Sequence, residues 1–333
     1  MTYTARRRML AGTAAGLLAA TLGLAGFSTA TAAPAGSACT ISTLPYPTDT
    51  YRAEARAIDP SGRFVVGSAL RVFDTGNQYV LLFWDGQQLT ETEMPANGVS
   101  PVDVNESGIA IGNGWAENGI GRPWTYRDGK FEQLPVLPST GIVVTAINSS
   151  GDIVGYGSDI VPGEYSALRW PAARPGTVEV LDAPLNAQPV GITANGTIVG
   201  YAGTFGDWTG WVRRPNGKVK PLAVPGGGST TVNAAAGHWA IGQVWLGGTS
   251  PAMVRWDVRD GSYTFLDEEA GLDDVNAKGV VVGGDRVARG GTSQVLPGGG
   301  TRINIGARAI ADTGTIVGFR NADRVTPVRW TGC

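Results

Sequence analysis

Beyond residue 40 the apolar positions come in short runs closed by glycine, and no stretch keeps a 3.6-residue period. The clearest case is Val143-Val144-Thr145-Ala146-Ile147-Asn148-Ser149-Ser150-Gly151-Asp152-Ile153-Val154-Gly155. Its β-branched residues predict two strands, and Asn148-x-x-Gly151 predicts the turn that joins them. A side-chain oxygen at the first turn position accepts a backbone N–H two residues on, and a closing glycine takes positive φ without steric cost. The pattern occurs seven times, ending at Gly67, Gly112, Gly155, Gly200, Gly242, Gly283 and Gly318, in steps of 45, 43, 45, 42, 41 and 35 residues. In the fifth copy, Asn233 and Gly237 bracket a turn with one extra residue. A period near forty is that of a four-stranded propeller blade.

Each repeat continues into a second hairpin. Leu81-Leu82-Phe83-Trp84 turns at Asp85-Gly86, Pro123-Trp124-Thr125-Tyr126 at Asp128-Gly129, Trp211-Val212-Arg213 at Asn216-Gly217, and Val254-Arg255-Trp256 near Asp260-Gly261. Such pairs suit the type I′ turns that match strand twist. The third repeat uses a longer connection from Pro171 to Gly176. The sixth reads as Val295-Leu296 followed by Gly298-Gly299-Gly300 and lacks the aromatic residue. The predicted fold is therefore all-β, a seven-bladed β-propeller of four-stranded blades. The last repeat stops at Trp330-Thr331-Gly332-Cys333 without a fourth strand, while Cys39-Thr40-Ile41-Ser42-Thr43-Leu44-Pro45 matches the fourth strand Phe131-Glu132-Gln133-Leu134-Pro135. The N-terminal strand is thus expected to complete the last blade. Trp84, Tyr126, Trp170, Trp256 and Trp330 recur at one position per blade and are expected to pack between blades.

The first half of the repeat follows the pattern I-N-x-x-G-x-V-V-G and resembles the extracellular HAF-repeat family of bacterial proteins over nearly all of residues 39–333. The family's second half, H-A-F-x-W-x-x-G, stands here as Ser166-Ala167-Leu168, Thr326-Pro327-Val328 or Arg122-Pro123-Trp124, and no repeat keeps the His. The resemblance implies a secreted propeller. Some secreted propellers of this general type bind proteases or other extracellular enzymes.

The ends add to this picture. Arg6, Arg7 and Arg8, the apolar run Leu10 to Phe27, and Ala30-Thr31-Ala32 have the order of a cleaved signal peptide over residues 1–32, and Arg6-Arg7 has the form of a twin-arginine export signal. An uncleaved membrane anchor is the alternative. Residues 33–333 then form a single propeller domain. Removing residues 1–32 takes away three Arg and no acid, which leaves 23 basic against 28 acidic residues, a net of −5. That balance, with no basic block, argues against nucleic acid and anionic membrane as partners. Cys39 and Cys333 are most simply a disulfide in an oxidising compartment, with lipidation of Cys39 as the alternative.

Chemistry is sparse. His238 is the lone histidine and no G-x-S-x-G elbow accompanies it, so it reads as structural, and no catalytic residue, metal or cofactor is assigned. Asp267-Glu268-Glu269 with Asp273-Asp274 lacks the spacing of a calcium loop. Asp103, Asp182 and Glu164 are candidate carboxylates for a glycosidase pair, with nothing to select two of them. Strand alternation puts the N-x-x-G and D-G turns on one face, where they leave little room for a site. The varied connections fall on the other face. Those connections carry Trp115, Tyr165, Phe205, Trp208 and Trp245, the candidate interaction face. The leading expectation is a secreted, monomeric, non-catalytic propeller that binds an extracellular protein or polysaccharide there. A carbohydrate-active hydrolase or lyase and a structural envelope protein are the alternatives.

Overall fold

A computed structural model describes residues 39–333 apart from 95–99, 116–120, 140, 249, 268–270 and 301–303. The expected signal peptide, residues 1–32, lies outside the described residues. The chain forms seven four-stranded antiparallel sheets, arranged as the blades of a propeller. The first strand of each blade is innermost: Arg52–Ile58, Ser100–Val104, Gly141–Ile147, Gln188–Ile192, Thr230–Ala236, Asp274–Val275 and Ile305–Ile310. These strands neighbour one another around the axis. Thr40–Thr43 pairs antiparallel with Val325–Thr331, Ile41 opposite Trp330, and so supplies the fourth strand of blade 7. The Cys39–Cys333 disulfide joins residues 294 positions apart and pins that strand.

The recurring residues each have a steric or hydrogen-bonding reason. In six blades the innermost strand carries a bulge, where one residue is skipped in the register with the second strand. The bulge presses an inner-strand carbonyl onto the second strand. A Cβ on Gly155 would lie 2.0 Å from the Val143 carbonyl oxygen, and Gly67, Gly200, Gly242 and Gly318 meet the same obstacle at 2.1, 2.3, 1.9 and 1.9 Å. Close backbone approach therefore fixes these glycines.

The turn-opening Asn does two jobs. Asn148 Oδ1 accepts the Asp152 N–H at 2.9 Å, while Nδ2 donates to the Thr193 carbonyl of blade 4 at 3.3 Å. Asn105 Nδ2 likewise donates to the Asn148 carbonyl, and Asn276 Nδ2 to the Ala311 carbonyl, each at 3.0 Å. One side chain thus closes its own turn and ties it to the next blade. Asn148→Asp keeps the turn acceptor, loses the interblade donor, and buries a charge. It should cost about 1–3 kcal/mol, read as a lower urea midpoint; an unchanged midpoint would remove the interblade role.

Apolar packing lies between blades. One cluster of buried side chains fills each of the seven blade interfaces. Trp84, Tyr126, Trp170, Trp256 and Trp330 are all buried in these clusters. Three of them also donate an indole N–H to the preceding blade: Trp84 to the Pro45 carbonyl, Trp170 to Pro135 and Trp330 to Pro297, at 2.7, 2.8 and 3.0 Å.

Two readings of the repeats need correction. The second hairpin of blade 6 is Arg286–Arg289 and Thr292–Val295, joined at Gly290-Gly291, and Gly298-Gly299-Gly300 instead leads to blade 7. Both Gly290 and Gly291 have positive φ, as a type I′ turn requires. Ala288 faces Val281 there, the register position held by an aromatic residue in five other blades and by Arg213 in blade 4. In blade 5, Asn233 is the bulge residue and does not open the turn. The strands run on to Ala236 and Trp239, and Gly237-His238 make the turn.

Candidate functional site

Two regions could support function, one at each face. The first is axial. The innermost strands stand around a cavity of about 330 Å³ that opens beside the N-x-x-G turns. The face expected to leave little room for a site therefore holds the larger of the two hollows described below. The turns are tight, but seven of them around an axis surround a gap. The bulge residues Arg56, Val102, Thr145, Val190, Asn233 and Arg308 line it, as does Asp273 of blade 6. One position further on, five blades place Ala or Gly, and two place Asp103 and Asp274.

Asp103 and Asp274 are built alike. Asp103 accepts the Val104 N–H at 2.8 Å and, across the blade boundary, the Ile147 N–H at 3.0 Å. Asp274 accepts the Val275 and Ile310 N–H groups, both at 2.8 Å. Each carboxyl is hemmed in by protein, with partial solvent contact through the cavity. Burial pushes both up to about 7, and the backbone N–H bonds pull only partly back. The charge of Asp103 raises Asp274 further, because the two face the same space. Nearby charges are partly spent: Arg308 pairs with Asp273 at 3.0 Å and Arg56 with Glu54 at 2.6 Å.

The raised values have a testable sign. In the unfolded chain an aspartate releases its proton near pH 4, whereas in the fold these two hold it to about 7. Their contribution to stability is therefore full below about pH 4 and is lost as pH rises through about 7. Urea midpoints should fall across that window, and Asp103→Asn with Asp274→Asn should flatten the slope; the same slope in the double variant would show that other groups set it.

The other candidate carboxylates lie elsewhere. Glu164 is on the opposite face, and Asp182 sits in the connection from blade 3 to blade 4, where its carbonyl accepts the Arg213 N–H. Of the three, Asp103 alone lines the axial cavity, and it shares that lining with Asp274 of the acidic run. Of that run, Asp267 accepts the Ser293 hydroxyl and Asp273 holds Arg308, while Glu268 and Glu269 lie outside the described residues. His238 stacks on Trp239 at 4.5 Å between ring centroids and lies 3.9 Å from the Asp257 carboxylate, which is held by Arg259.

The second region is the loop face. Tyr165 begins the third strand of blade 3, and Phe205 and Trp208 stand at the hairpin between the second and third strands of blade 4. Trp245 follows the second strand of blade 5. Phe205 is 93% exposed and packs edge-on against half-buried Trp208, which in turn meets Tyr201. Tyr165 is 43% exposed and stands edge-on to Tyr156. Burial raises the Tyr156 and Tyr201 phenols, and the Tyr165 phenol nearby adds to both. Leu185 at 65% and Leu246 at 47% extend the exposed apolar surface. Leu185 was not foreseen, because a single leucine in a connection carries no pattern. Trp245 is half-buried, and Trp115 ends the second strand of blade 2, its side chain outside the description. Beside Tyr165 a hollow of about 200 Å³ is lined by Glu164, Leu181, Pro184 and Leu185.

No family model matches the sequence, and no curated protein sequence is similar to it. Solved structures are similar in fold. The β-propeller domain of the Trilobed protease from Pyrococcus furiosus superposes with a TM-score of 0.62 at 9% identity, covering 85% of this chain and 96% of that one. An acylaminoacyl peptidase from Pyrococcus horikoshii gives 0.56 at 10% identity over 86% of this chain, and a prolyl endopeptidase gives 0.56 at 12% over 82%. This chain spans about half the length of those two peptidases, 52% and 47%. The Trilobed domain has an open velcro topology, whereas this ring is closed by Thr40–Thr43 and the disulfide. For this chain the likeness shows the fold, a β-propeller.

Proposed function

We propose that this protein is a secreted propeller that binds an extracellular macromolecule through its loop face and performs no catalysis. The observation that carries the reading is the concentration of exposed Tyr165, Leu185, Phe205 and Leu246 on the loop face of three consecutive blades. Isolated exposed apolar residues need no explanation, but several on the same-face connections of consecutive blades are what interfaces use. The axial cavity is less suited to chemistry. Both oxygens of Asp103, and both of Asp274, already accept a backbone N–H from the scaffold. The signal-like N-terminus and the disulfide support secretion, and the repeat pattern supports membership of the HAF-repeat group.

A second reading has one specific observation in its favour, the pair of raised carboxyls in a single cavity. It would make the protein a carbohydrate-active hydrolase or lyase. One experiment separates the two. The purified protein is offered a panel of extracellular polysaccharides and secreted proteins, and both retention and turnover are scored. Retention without turnover is the expected result. Turnover abolished by Asp103→Asn would replace the binding reading with the enzymatic one.

A further inference from the structure

The outer rim between blades 4 and 5 sets cations against aromatic rings. The outermost strand of blade 4 is Val219–Leu222, and that of blade 5 is Tyr263–Phe265. Lys220 lies opposite Val212, while Tyr263 and Phe265 lie opposite Trp256 and Val254. Directly opposed residues share a sheet face. Val212, Val254 and Trp256 pack together between the two blades, so Lys220, Tyr263 and Phe265 project into the same boundary. Lys218 accepts the Arg214 N–H at its carbonyl, 2.9 Å away, and shares the Lys220 face. Arg214 itself crosses to the carbonyls of Val258 and Arg259 in blade 5. Arg213 is on the other face and donates to the Asp182 carbonyl.

Among the described residues, no carboxylate pairs with Arg214, Lys218 or Lys220. The acids of this boundary have other neighbours. Asp257 is held by Arg259, and Asp260 accepts the Ser262 N–H and stands beside Arg259. Asp267, at the loop end of the strand, accepts the Ser293 hydroxyl of blade 6. Four basic residues thus meet two acidic ones at the turn end, a surplus of two positive charges. Facing them, Tyr263 is 36% and Phe265 45% exposed, with ring centroids 5.6 Å apart and edge-on.

We infer that this rim binds an acidic polysaccharide, with sugar rings on Tyr263 and Phe265 and carboxylate or sulfate groups on Lys218, Lys220 and Arg214. The C–H face of a pyranose meets the negative face of an aromatic ring. The surplus cations then select the charged sugar over the neutral one. A peptide adding as a strand gains little here, because Pro221 has no N–H and Tyr263–Phe265 is three residues long. A nucleic acid carries a phosphate at every nucleotide, and the 28 acidic against 23 basic residues of 33–333 repel it beyond the patch. The rim is separate from the loop face, so the two readings stand or fall independently.

The test measures fluorescence anisotropy of labelled probes with the purified protein. The probes are oligogalacturonate, sulfated dextran fragments, methyl-esterified oligogalacturonate, an oligo-Glu peptide with interspersed Trp, and a single-stranded oligonucleotide. An acidic sugar should bind best and weaken as salt screens the charges. Lys218→Glu with Lys220→Glu should weaken it about tenfold or more. Tyr263→Ser with Phe265→Ser should also weaken it while leaving the salt dependence in place. All four side chains are exposed, and an unchanged urea midpoint of each variant would confirm an intact fold. Leu185→Ser with Phe205→Ser, on the loop face, should change nothing. Equal binding of the methyl ester, tighter binding of the peptide or the oligonucleotide, no binding of either acidic sugar, or indifference to the lysine variant would overturn the inference. Release by the loop-face variant alone would also overturn it, and would assign the acidic sugar to the loop face.

Discussion

Gly155→Val should prevent blade 3 from closing and lower stability by more than about 4 kcal/mol. The added Cβ would stand 2.0 Å from the Val143 carbonyl oxygen and 2.8 Å from the Val144 Cα. Both obstacles are backbone within a paired sheet, so no rotamer change relieves them. Shifting the strand would undo the register that sets Val144 opposite Gly155 and Gly155 opposite Leu168. Gly248→Ala is the control: its Cβ would meet nothing nearer than the Ser250 carbonyl at 3.8 Å, and the change should stay within about 0.5 kcal/mol. Urea denaturation of the two variants measures the contrast. Equal midpoints would mean that the bulge does not impose glycine.

The second large effect belongs to the closure of the ring. Cys39→Ser removes a cross-link spanning 294 positions, and in the chain-entropy account a loop of that length is worth up to about 5 kcal/mol. The loss extends to packing, because Ile41 lies over the core of blades 6 and 7 that contains Trp330, Val328 and Ile305. The urea midpoint of the variant should fall to that of the reduced wild type. Limited proteolysis should then cut first near Thr40–Thr43, a strand held on one side alone. Resistance to protease equal to that of the oxidised protein would show that strand pairing closes the ring without the cysteines.

Most of the architecture was legible in the sequence, because each blade repeats one short hairpin with a steric signature. Asn148, Gly151 and Gly155 announce the turn and the close approach, and counting their copies gives the blades and the missing strand. The reading failed where one residue type serves two purposes. Asn233 resembles a turn opener, yet it is the residue skipped at the bulge. The glycines of 298–300 resemble a hairpin, yet the turn is at Gly290-Gly291. The interblade bond of Asn148 was invisible, since its acceptor is a carbonyl 45 positions away. The axial cavity was misjudged for a related reason. Its lining is assembled from one or two residues of every blade, and no local pattern pairs Asp103 with Asp274. The loop-face rings were legible as aromatic residues outside the repeat, but their grouping in blades 3 and 4 needed the fold.

These points converge on a division of labour between the faces. On the turn side the repeating residues spend their polar groups on the scaffold, down to the carboxyls of Asp103 and Asp274. On the loop side the non-repeating residues leave apolar surface and acids exposed. The most direct measurement compares three forms of the purified protein, each immobilised and presented with the same secreted proteins and polysaccharides. They are the wild type, Leu185→Ser with Phe205→Ser, and Asp103→Asn with Asp274→Asn. The account predicts a ligand retained equally by the wild type and the aspartate variant and released by the loop-face variant. Release by the aspartate variant with retention by the loop-face variant would contradict it and move function to the axial cavity.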